Sequence, residues 1–221
     1  MTALVIFDCD GTLIDTERLY NRAWAETLNG FGLPWTARDS ANRLMGRPLP
    51  DCYAIIEAAL GRKLPADFQT RVFAVTDRLM AGEGVAPMPY VAATFDRLPH
   101  PKCVASSGLL DHVVKHLRNT DLMRHFGEDK VYVAAMVPRG KPAPDLFLHA
   151  AGRMGAAAGD CVVIEDSVPG VMGGRAAGMR VLGYANPNND ADALRAAGAE
   201  LFEDMRELPR LLGAPTTERH R

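Results

Sequence analysis

Residues 5–12, VIFDCDGT, contain the strongest structural signal in this chain. A short apolar run, of the kind that forms a buried strand, ends abruptly in two carboxylates separated by one residue. Acidic side chains at the end of a buried strand are costly unless a metal ion pairs with them or they take part in catalysis. A strand followed by an ordinary Asp-Gly turn fits these eight residues as well, so the rest of the chain has to distinguish the two.

The composition is that of an ordinary globular protein. The chain has 221 residues, of which 48% are apolar and 24% are charged. That length allows one large domain, or a core with a small accessory domain. The formal net charge is -2 at pH 7 and the sequence pI is about 6.3. These values give no electrostatic basis for binding nucleic acid or anionic membranes.

Targeting signals and membrane spans are not apparent in the sequence. The first apolar run lacks a preceding basic region and stops at Asp8, which is unlike a signal peptide. No apolar stretch approaches the roughly 20 residues needed to span a bilayer. The cysteines form no CxxC pair, so we expect buried free thiols in a reducing, cytoplasmic compartment. They are Cys9, Cys52, Cys103 and Cys161.

Residues 16–80 show helical periodicity and no convincing strand pattern. Four helices are predicted, over residues 16–29, over residues 37–45, after Pro50-Asp51 and after Pro65. The first is predicted to stop at Gly30, as expected for a left-handed C-terminal cap, and the second and third to end at Gly46 and Gly61. These four helices would form a small bundle.

The pattern changes after residues 81–89, a stretch rich in glycine and proline that is predicted to be a linker. Short apolar runs then alternate with helical stretches, which predicts a parallel sheet with helices on both faces. The predicted strands are residues 4–7, 103–105, 131–136, 161–164 and 181–184. The predicted fold class is therefore α/β. A Rossmann-like core would comprise residues 1–15 and 84–221, with residues 16–83 inserted as an α-helical cap domain.

Ligands of open parallel sheets bind beyond the carboxyl ends of the strands. Four carboxylates, two hydroxyls and one ammonium follow the predicted strands at that edge. They belong to Asp8, Asp10, Ser106, Ser107, Lys141, Glu165 and Asp166. Taken singly, Glu165-Asp166 fits a solvated turn, Ser107 fits a helix cap and Lys141 fits a surface lysine. Their convergence on one edge of the sheet predicts a functional site.

Four motifs make the sequence resemble the haloacid dehalogenase superfamily of phosphatases and phosphomutases. They are DCDGT at residues 8–12, ASSG at 105–108, GKPAPD at 140–145 and VIEDSVPG at 163–170. They occur in the family's order, with plausible spacing, and the resemblance covers essentially the whole chain. The nearest likeness is to the β-phosphoglucomutase-like and sugar-phosphatase branch.

The resemblance implies phosphoryl transfer through an aspartyl phosphate on Asp8. Asp8 would be the nucleophile, while Asp10 would protonate the leaving group and then deprotonate the attacking water. Because a carboxylate and a phosphate dianion repel each other, the family uses Mg²⁺, a hard cation with oxygen ligands. The implied ligands are Asp8, Asp166 and the backbone carbonyl of Asp10, with Glu165 either bound directly or one layer further out.

The resemblance also implies a phosphate-binding loop. The Ser106 hydroxyl would bind a phosphate oxygen, and Ser107 and Gly108 would present backbone amides near a helix start. Lys141 would place a positive charge between nucleophile and phosphate.

Cys9 lies between the two acids, but its side chain should point into the core, so a thiol mechanism is not expected.

The predicted cap would exclude water and select the substrate. Arg47 lies where the family's specificity loop would be and could bind a second phosphate or a carboxylate, or could simply be exposed. Arg43 and Arg71 are weaker candidates. Tyr20 fits the apolar face of the first helix, although it could reach the site as a substrate-binding residue. The mutases have a histidine at the position that aligns with Tyr20, so its absence favours a hydrolase.

We therefore predict a Mg²⁺-dependent phosphatase of a small phosphorylated metabolite, either a sugar phosphate or a sugar-acid phosphate. A monomer or weak homodimer is expected, with no nucleic-acid or membrane partner. Asp10 disfavours the dehalogenase branch, which lacks that second aspartate. A β-phosphoglucomutase-like phosphotransferase and a non-catalytic phospho-ligand sensor remain alternatives. Intact Asp8 and Asp10 argue against the sensor, because a pure binder needs neither a nucleophile nor an acid.

Overall fold

The computed structural model of this protein describes residues 2–44 and 49–213. The chain divides into two compact units. The first combines Met1–Asp15 with Ala86–Arg221, and the second is Thr16–Val85. The first unit contains strands and helices, whereas the described part of the second unit is helical.

Six parallel strands form the main sheet of the first unit, and two further strands form a short antiparallel pair. The strands in the described residues are β1 (Leu4–Phe7), β2 (Ile14–Asp15), β3 (Ala86–Pro87), β4 (Lys102–Ser106), β5 (Val131–Val133), β6 (Cys161–Glu165), β7 (Arg180–Tyr184) and β8 (Glu200–Phe202). The main sheet has the order β5-β4-β1-β6-β7-β8, and β2 pairs with β3. Ile6 in β1 lies opposite Cys103 in β4 and Val163 in β6. The carboxyl ends of these three strands therefore meet at one edge.

Ten α-helices lie in the described residues. In the helical unit they are α1 (Glu17–Gly30), α2 (Ala37–Leu44), α3 (Leu49–Leu60) and α4 (Phe68–Glu83). In the α/β unit they are α5 (Val91–Phe95), α6 (Leu110–Asn119), α7 (Asp145–Arg153), α8 (Val168–Ala176), α9 (Ala191–Ala196) and α10 (Leu208–Leu211).

Helices cover both faces of the main sheet, because successive residues of a strand point to opposite sides. Ile6 belongs to a buried apolar cluster with Phe147 of α7 and Val171 of α8. Phe7 faces the other side, where its ring centroid lies 4.9 Å from that of Phe95 in α5. The predicted fold class, a Rossmann-like α/β sheet with helices on both faces, is confirmed.

The helical unit has an apolar core of its own, as amphipathic helices require. Leu19 and Leu28 of α1 belong to one buried cluster with Ile56 of α3 and Phe68 of α4. The four helices predicted between residues 16 and 80 are present. The role of this unit as an inserted cap domain stays a prediction.

The linker predicted over residues 81–89 is wrong in part. α4 continues to Glu83, whose carboxylate accepts hydrogen bonds from Arg18 and Arg22 of α1. Gly84 is the C-cap residue of this helix, and its φ of +74° suits glycine. Ala86–Pro87 then form β3, which pairs with β2. Composition alone obscured these elements, because Gly82 and Pro87 lie inside them.

Other differences from the prediction concern short elements. β5 ends at Val133, and residues Ala134–Met136 form a 3₁₀ turn instead of continuing the strand. β5 is the edge strand, and Ala135 and Met136 are exposed, so nothing buries a longer strand there. Also not predicted were β2, β3, β8, α5 and α10, each five residues or fewer.

All four cysteines are buried and free, as the sequence predicts. Across residues 2–44 and 49–213, no helix has both the length and the apolar character needed to cross a bilayer.

Candidate active site

Asp8 lies immediately after β1, at the carboxyl edge of the sheet. Its amide donates to the Ile164 carbonyl of β6 at 2.9 Å, which extends the sheet register one residue past the strand. Gly11 then adopts a φ of +83°, a backbone conformation that favours glycine. The turn closes where the Leu13 amide donates to the Cys9 carbonyl at 2.8 Å. Backbone bonds therefore hold Asp8 at this edge, where it is buried.

Glu165, the last residue of β6, is 0% exposed, and its carboxylate accepts four hydrogen bonds. Oε2 accepts from the Asp166 and Ser167 amides and from the Ser167 hydroxyl, at 2.9, 2.7 and 2.9 Å. Oε1 accepts from Lys141 Nζ at 2.7 Å. The same ammonium donates to Asp8 Oδ1. A lysine whose side chain is 4% exposed thus bridges two buried carboxylates.

Asp166 is also buried, and neighbouring loops hold it through both its side chain and its backbone. Oδ1 accepts from the Thr12 hydroxyl at 2.9 Å. Oδ2 accepts from Asn186 Nδ2 at 3.4 Å, and the same amide donates to the Gly11 carbonyl at 3.1 Å. Asn189 Nδ2 donates to the Asp166 carbonyl at 2.9 Å. These bonds join the loops that follow β1, β6 and β7.

The loop after β4 brings Ser106 and Gly108 close to Asp10. The buried Ser106 hydroxyl accepts from the Gly108 amide at 3.0 Å. A Cβ built on Gly108 would lie 3.3 Å from Ser106 Oγ and 3.5 Å from Asp10 Oδ2. Ser107 is exposed, and Leu109 is the N-cap residue of α6. The structure therefore favours a loop position for Ser107 over the helix-cap alternative.

Burial and charge shift the pKa values of the central groups. Burial is the main cause that raises the pKa of Asp8 to about 7. The Lys141 ammonium opposes this rise, and the Glu165 and Asp10 carboxylates add to it. Burial lowers the pKa of Lys141, but Asp8 and Glu165 outweigh burial and raise that pKa above its ordinary value. Burial, with Asp10 and Asp8, raises the pKa of Cys9 well above its ordinary value. The Cys9 thiol is therefore protonated and a poor nucleophile.

Three carboxylates of this site fit a divalent cation. Asp8, Glu165 and Asp166 each place one oxygen within 4.8 Å of the other two. Mg²⁺ prefers carboxylate oxygens, and buried carboxylates need compensating positive charge beyond a single ammonium. Because Glu165 already accepts four hydrogen bonds, Asp8 and Asp166 have more capacity for direct ligation. Ligation by the Asp10 carbonyl stays a prediction.

The candidate residues of the helical unit are not tested as substrate ligands by the structure. Arg47 lies outside the described residues. Tyr20 is partly buried against the apolar core of the helical unit, as its spacing in α1 predicts. The Arg43 guanidinium lies 5.0 Å from the centroid of a tryptophan ring, and Arg71 pairs with an aspartate one turn earlier in sequence.

Sequence reasoning gave no role to four polar residues that organise this site. Thr12 and Ser167 lie inside the DCDGT and VIEDSVPG motifs, so their positions carried a signal. Asn186 and Asn189 belong to an Asn-Pro-Asn-Asn stretch after the predicted strand 181–184, at the same edge of the sheet. The composition of this stretch is that of an ordinary turn and indicates no function. Only its position after a predicted strand, at the ligand-binding edge of the sheet, could have identified the two asparagines.

Known proteins resemble this chain over most of its length. The sequence model of the haloacid dehalogenase-like hydrolase family matches residues 2–178. The 6-phosphogluconate phosphatase of Escherichia coli is 29% identical over 186 residues, which are 84% of this chain and 84% of that relative. The fructose-1-phosphate phosphatase YqaB of Escherichia coli is 36% identical over 181 residues, which are 79% of this chain and 92% of that relative.

A solved structure has the same fold over nearly the whole chain. It is that of a conserved haloacid dehalogenase-like protein of unknown function from Agrobacterium tumefaciens. The TM-score is 0.87 at 30% sequence identity, and the match covers 96% of this chain and 98% of that one. This chain belongs to the haloacid dehalogenase-like hydrolase family. Within that family it is a phosphoric monoester hydrolase, the enzyme class of both curated relatives.

Proposed function

We propose that this enzyme is a Mg²⁺-dependent phosphatase that hydrolyses a phosphorylated sugar or sugar acid through an aspartyl phosphate on Asp8. The observation that carries the proposal is the buried Asp8 carboxylate, which accepts a hydrogen bond from Lys141 and lies in one cluster with Asp166. Metabolite phosphatases among the relatives support the substrate class.

Asp8 performs the covalent chemistry. In the first step a bond forms between an Asp8 oxygen and phosphorus, and the bond between phosphorus and the ester oxygen breaks. In the second step water attacks phosphorus, the Asp8–phosphorus bond breaks, and inorganic phosphate leaves. Lys141 holds Asp8 in place, because its ammonium donates to the Asp8 carboxylate, and it opposes the rise in the Asp8 pKa that burial causes.

Asp10 moves the protons. It gives one proton to the departing sugar oxygen in the first step and takes one from the attacking water in the second. Its carboxylate lies near Gly108 and Ser106. We propose that the Ser106 hydroxyl, with the backbone amides of Ser107 and Gly108, binds the phosphate oxygens beside it.

Asp8 and Asp166 would hold the Mg²⁺ ion, together with the Asp10 carbonyl, and Glu165 would support this centre mainly by holding Lys141. The bound ion would neutralise the charge of the phosphate and the carboxylates. Asp166 is kept in place for this role by Thr12 and by the loop after β7.

We propose that the helical unit is a cap domain that selects the substrate, with Tyr20 and Arg47 as candidate substrate-binding residues. Its insertion between β2 and β3 supports this role. A cytoplasmic location is proposed from the four buried free cysteines.

The test is release of inorganic phosphate from a panel of sugar phosphates, phosphogluconates, glucose 1-phosphates and nucleotides, with Mg²⁺ and with EDTA. We expect Mg²⁺-dependent release concentrated on the sugar and sugar-acid phosphates. Asp8→Asn should reduce release at least about 1,000-fold while leaving the protein folded. Conversion of glucose 1-phosphate to glucose 6-phosphate without release would establish the mutase instead. Binding without turnover would establish the sensor.

A further inference from the structure

Asn186 is a buried amide in the loop after β7, and the proposed chemistry does not use it. It is 5% exposed. We propose that Asn186 is a positioning residue that fixes the Asp166 carboxylate for binding a divalent cation. This inference rests on the proposed function, because it concerns the same metal centre.

The contacts of Asn186 define which of its atoms faces the site. The Asn188 amide donates to Asn186 Oδ1 at 2.8 Å, so the oxygen end of the side chain faces its own loop. The Nδ2 group therefore faces the opposite way, toward the Gly11 carbonyl at 3.1 Å and Asp166 Oδ2 at 3.4 Å. One side chain thus joins the loops that carry Asp8 and Asp166.

The Asp166 carboxylate is held on two sides by neutral donors. Thr12 donates to one oxygen and Asn186 to the other. On the Gly11 side there is no free space, because a Cβ built there would lie 2.1 Å from Asp166 Oδ2. Neutral hydrogen bonds orient a carboxylate while leaving its negative charge to attract a cation, as groups behind metal ligands commonly do.

Loss of this donor should weaken the metal site more than the chemistry. Removing a hydrogen-bond partner of a metal ligand typically costs about 10- to 100-fold in metal affinity or activity. For Asn186→Ala we expect Mg²⁺ affinity to fall by about 10-fold or more. At saturating Mg²⁺ the kcat should return to within roughly 3-fold of the wild type, because Asn186 would act through Asp166 and not on the substrate.

The experiment measures Mg²⁺ binding directly, without turnover, by isothermal titration calorimetry of the substrate-free enzyme. Mn²⁺ binding followed by electron paramagnetic resonance gives a second readout. Asn186→Leu keeps the approximate shape of the side chain but removes the donor, so it separates the hydrogen bond from a packing defect. Asn188→Ala, at an exposed residue of the same loop, is the matched control. Urea unfolding of each variant establishes that it is folded.

Weaker Mg²⁺ binding in both Asn186 variants, with Asn188→Ala unchanged, is the expected result. Wild-type affinity in either folded Asn186 variant would overturn the inference and leave the proposed function intact. Weaker binding accompanied by a loss of kcat that saturating Mg²⁺ does not restore would also overturn it, because the residue would then act on the chemistry. No Mg²⁺ binding by the wild type would overturn the proposed metal centre, and the inference with it.

Discussion

Lys141 Nζ lies 2.7 Å from Glu165 Oε1, and both side chains are buried. Lys141 lies in the loop before α7, and Glu165 is the last residue of β6. The Lys141 ammonium also donates a hydrogen bond to Asp8. A buried ion pair is costly to break from one side, because the remaining charge is left without a partner. The position of Glu165 therefore determines where the ammonium beside the nucleophile lies.

Gly170 is the residue that leaves room for Glu165. A Cβ built on Gly170 would lie 1.7 Å from Glu165 Oε1. The carboxylate cannot move aside cheaply, because it accepts four hydrogen bonds. We predict that Gly170→Ala lowers kcat at least about 10-fold and the free energy of unfolding by about 2 kcal/mol or more.

Gly152→Ala is the control for that variant, measured by phosphate release and urea unfolding. Gly152 is an exposed glycine within α7, and a Cβ there would meet no atom within 4 Å. Alanine at that position should leave activity unchanged and keep or raise stability, because alanine favours helix by roughly 1 kcal/mol over glycine. Equal activity in the two variants would show that Glu165 tolerates displacement.

The contribution of Asp8 to the stability of the metal-free protein should fall as the pH rises from about 4 to about 7. Burial raises the pKa of Asp8 from 3.8 to about 7 in the folded protein. The Lys141 ammonium opposes this rise, and the Glu165 and Asp10 carboxylates add to it. The folded state therefore holds a proton that the unfolded chain has already lost. This contribution is complete below about pH 4 and is lost as the pH passes 7, with an upper limit of about 4 kcal/mol.

Urea unfolding in EDTA at several pH values, for the wild type and Asp8→Asn, isolates this effect. The pH-dependent loss should be larger in the wild type, since the asparagine does not titrate. Mg²⁺ should stabilise the wild type most above pH 7, where Asp8 is ionised and free to bind it. Parallel pH profiles for the two proteins would contradict the assigned environment of Asp8.

Asp10→Asn should reveal proton donation through its dependence on the leaving group. A sugar oxygen leaves as a strong base and needs a proton, whereas p-nitrophenolate does not. We predict that kcat/KM for the best sugar phosphate falls by about 100- to 10,000-fold, and that kcat/KM for p-nitrophenyl phosphate falls much less. Steady-state kinetics on the two substrates provides the measurement. Equal losses would assign Asp10 to a role other than acid catalysis.

The central strands and the acidic residues at their ends could be predicted from sequence because two signals agree there. Buried apolar runs mark β1 and β6, and carboxylates stop each run at the same edge of the sheet. Glu165 and Asp166 could therefore be placed near Asp8, although more than 150 residues separate them. Parallel-sheet topology, not sequence proximity, makes that inference possible.

The supporting contacts could not be predicted, because they depend on exact loop geometry. Asn186 lies in a stretch whose composition is that of an ordinary turn, and its amide acts across a sequence separation of 175 residues from Gly11. Gly170 could be recognised as part of a motif, but its contact with Glu165 requires coordinates. β8 was missed because three residues at the edge of a sheet carry too little periodicity.

Catalysis through an aspartyl phosphate is tested by detecting phosphate on Asp8 during turnover. The enzyme is quenched while hydrolysing its best substrate, reduced with borohydride, and analysed by peptide mass spectrometry. An acyl phosphate at residue 8 would be converted to homoserine, and we predict this change at Asp8 alone, only with substrate present, and absent from Asp8→Asn. Continued phosphate release by Asp8→Asn at the wild-type rate, without modification at residue 8, would show that Asp8 is not the nucleophile.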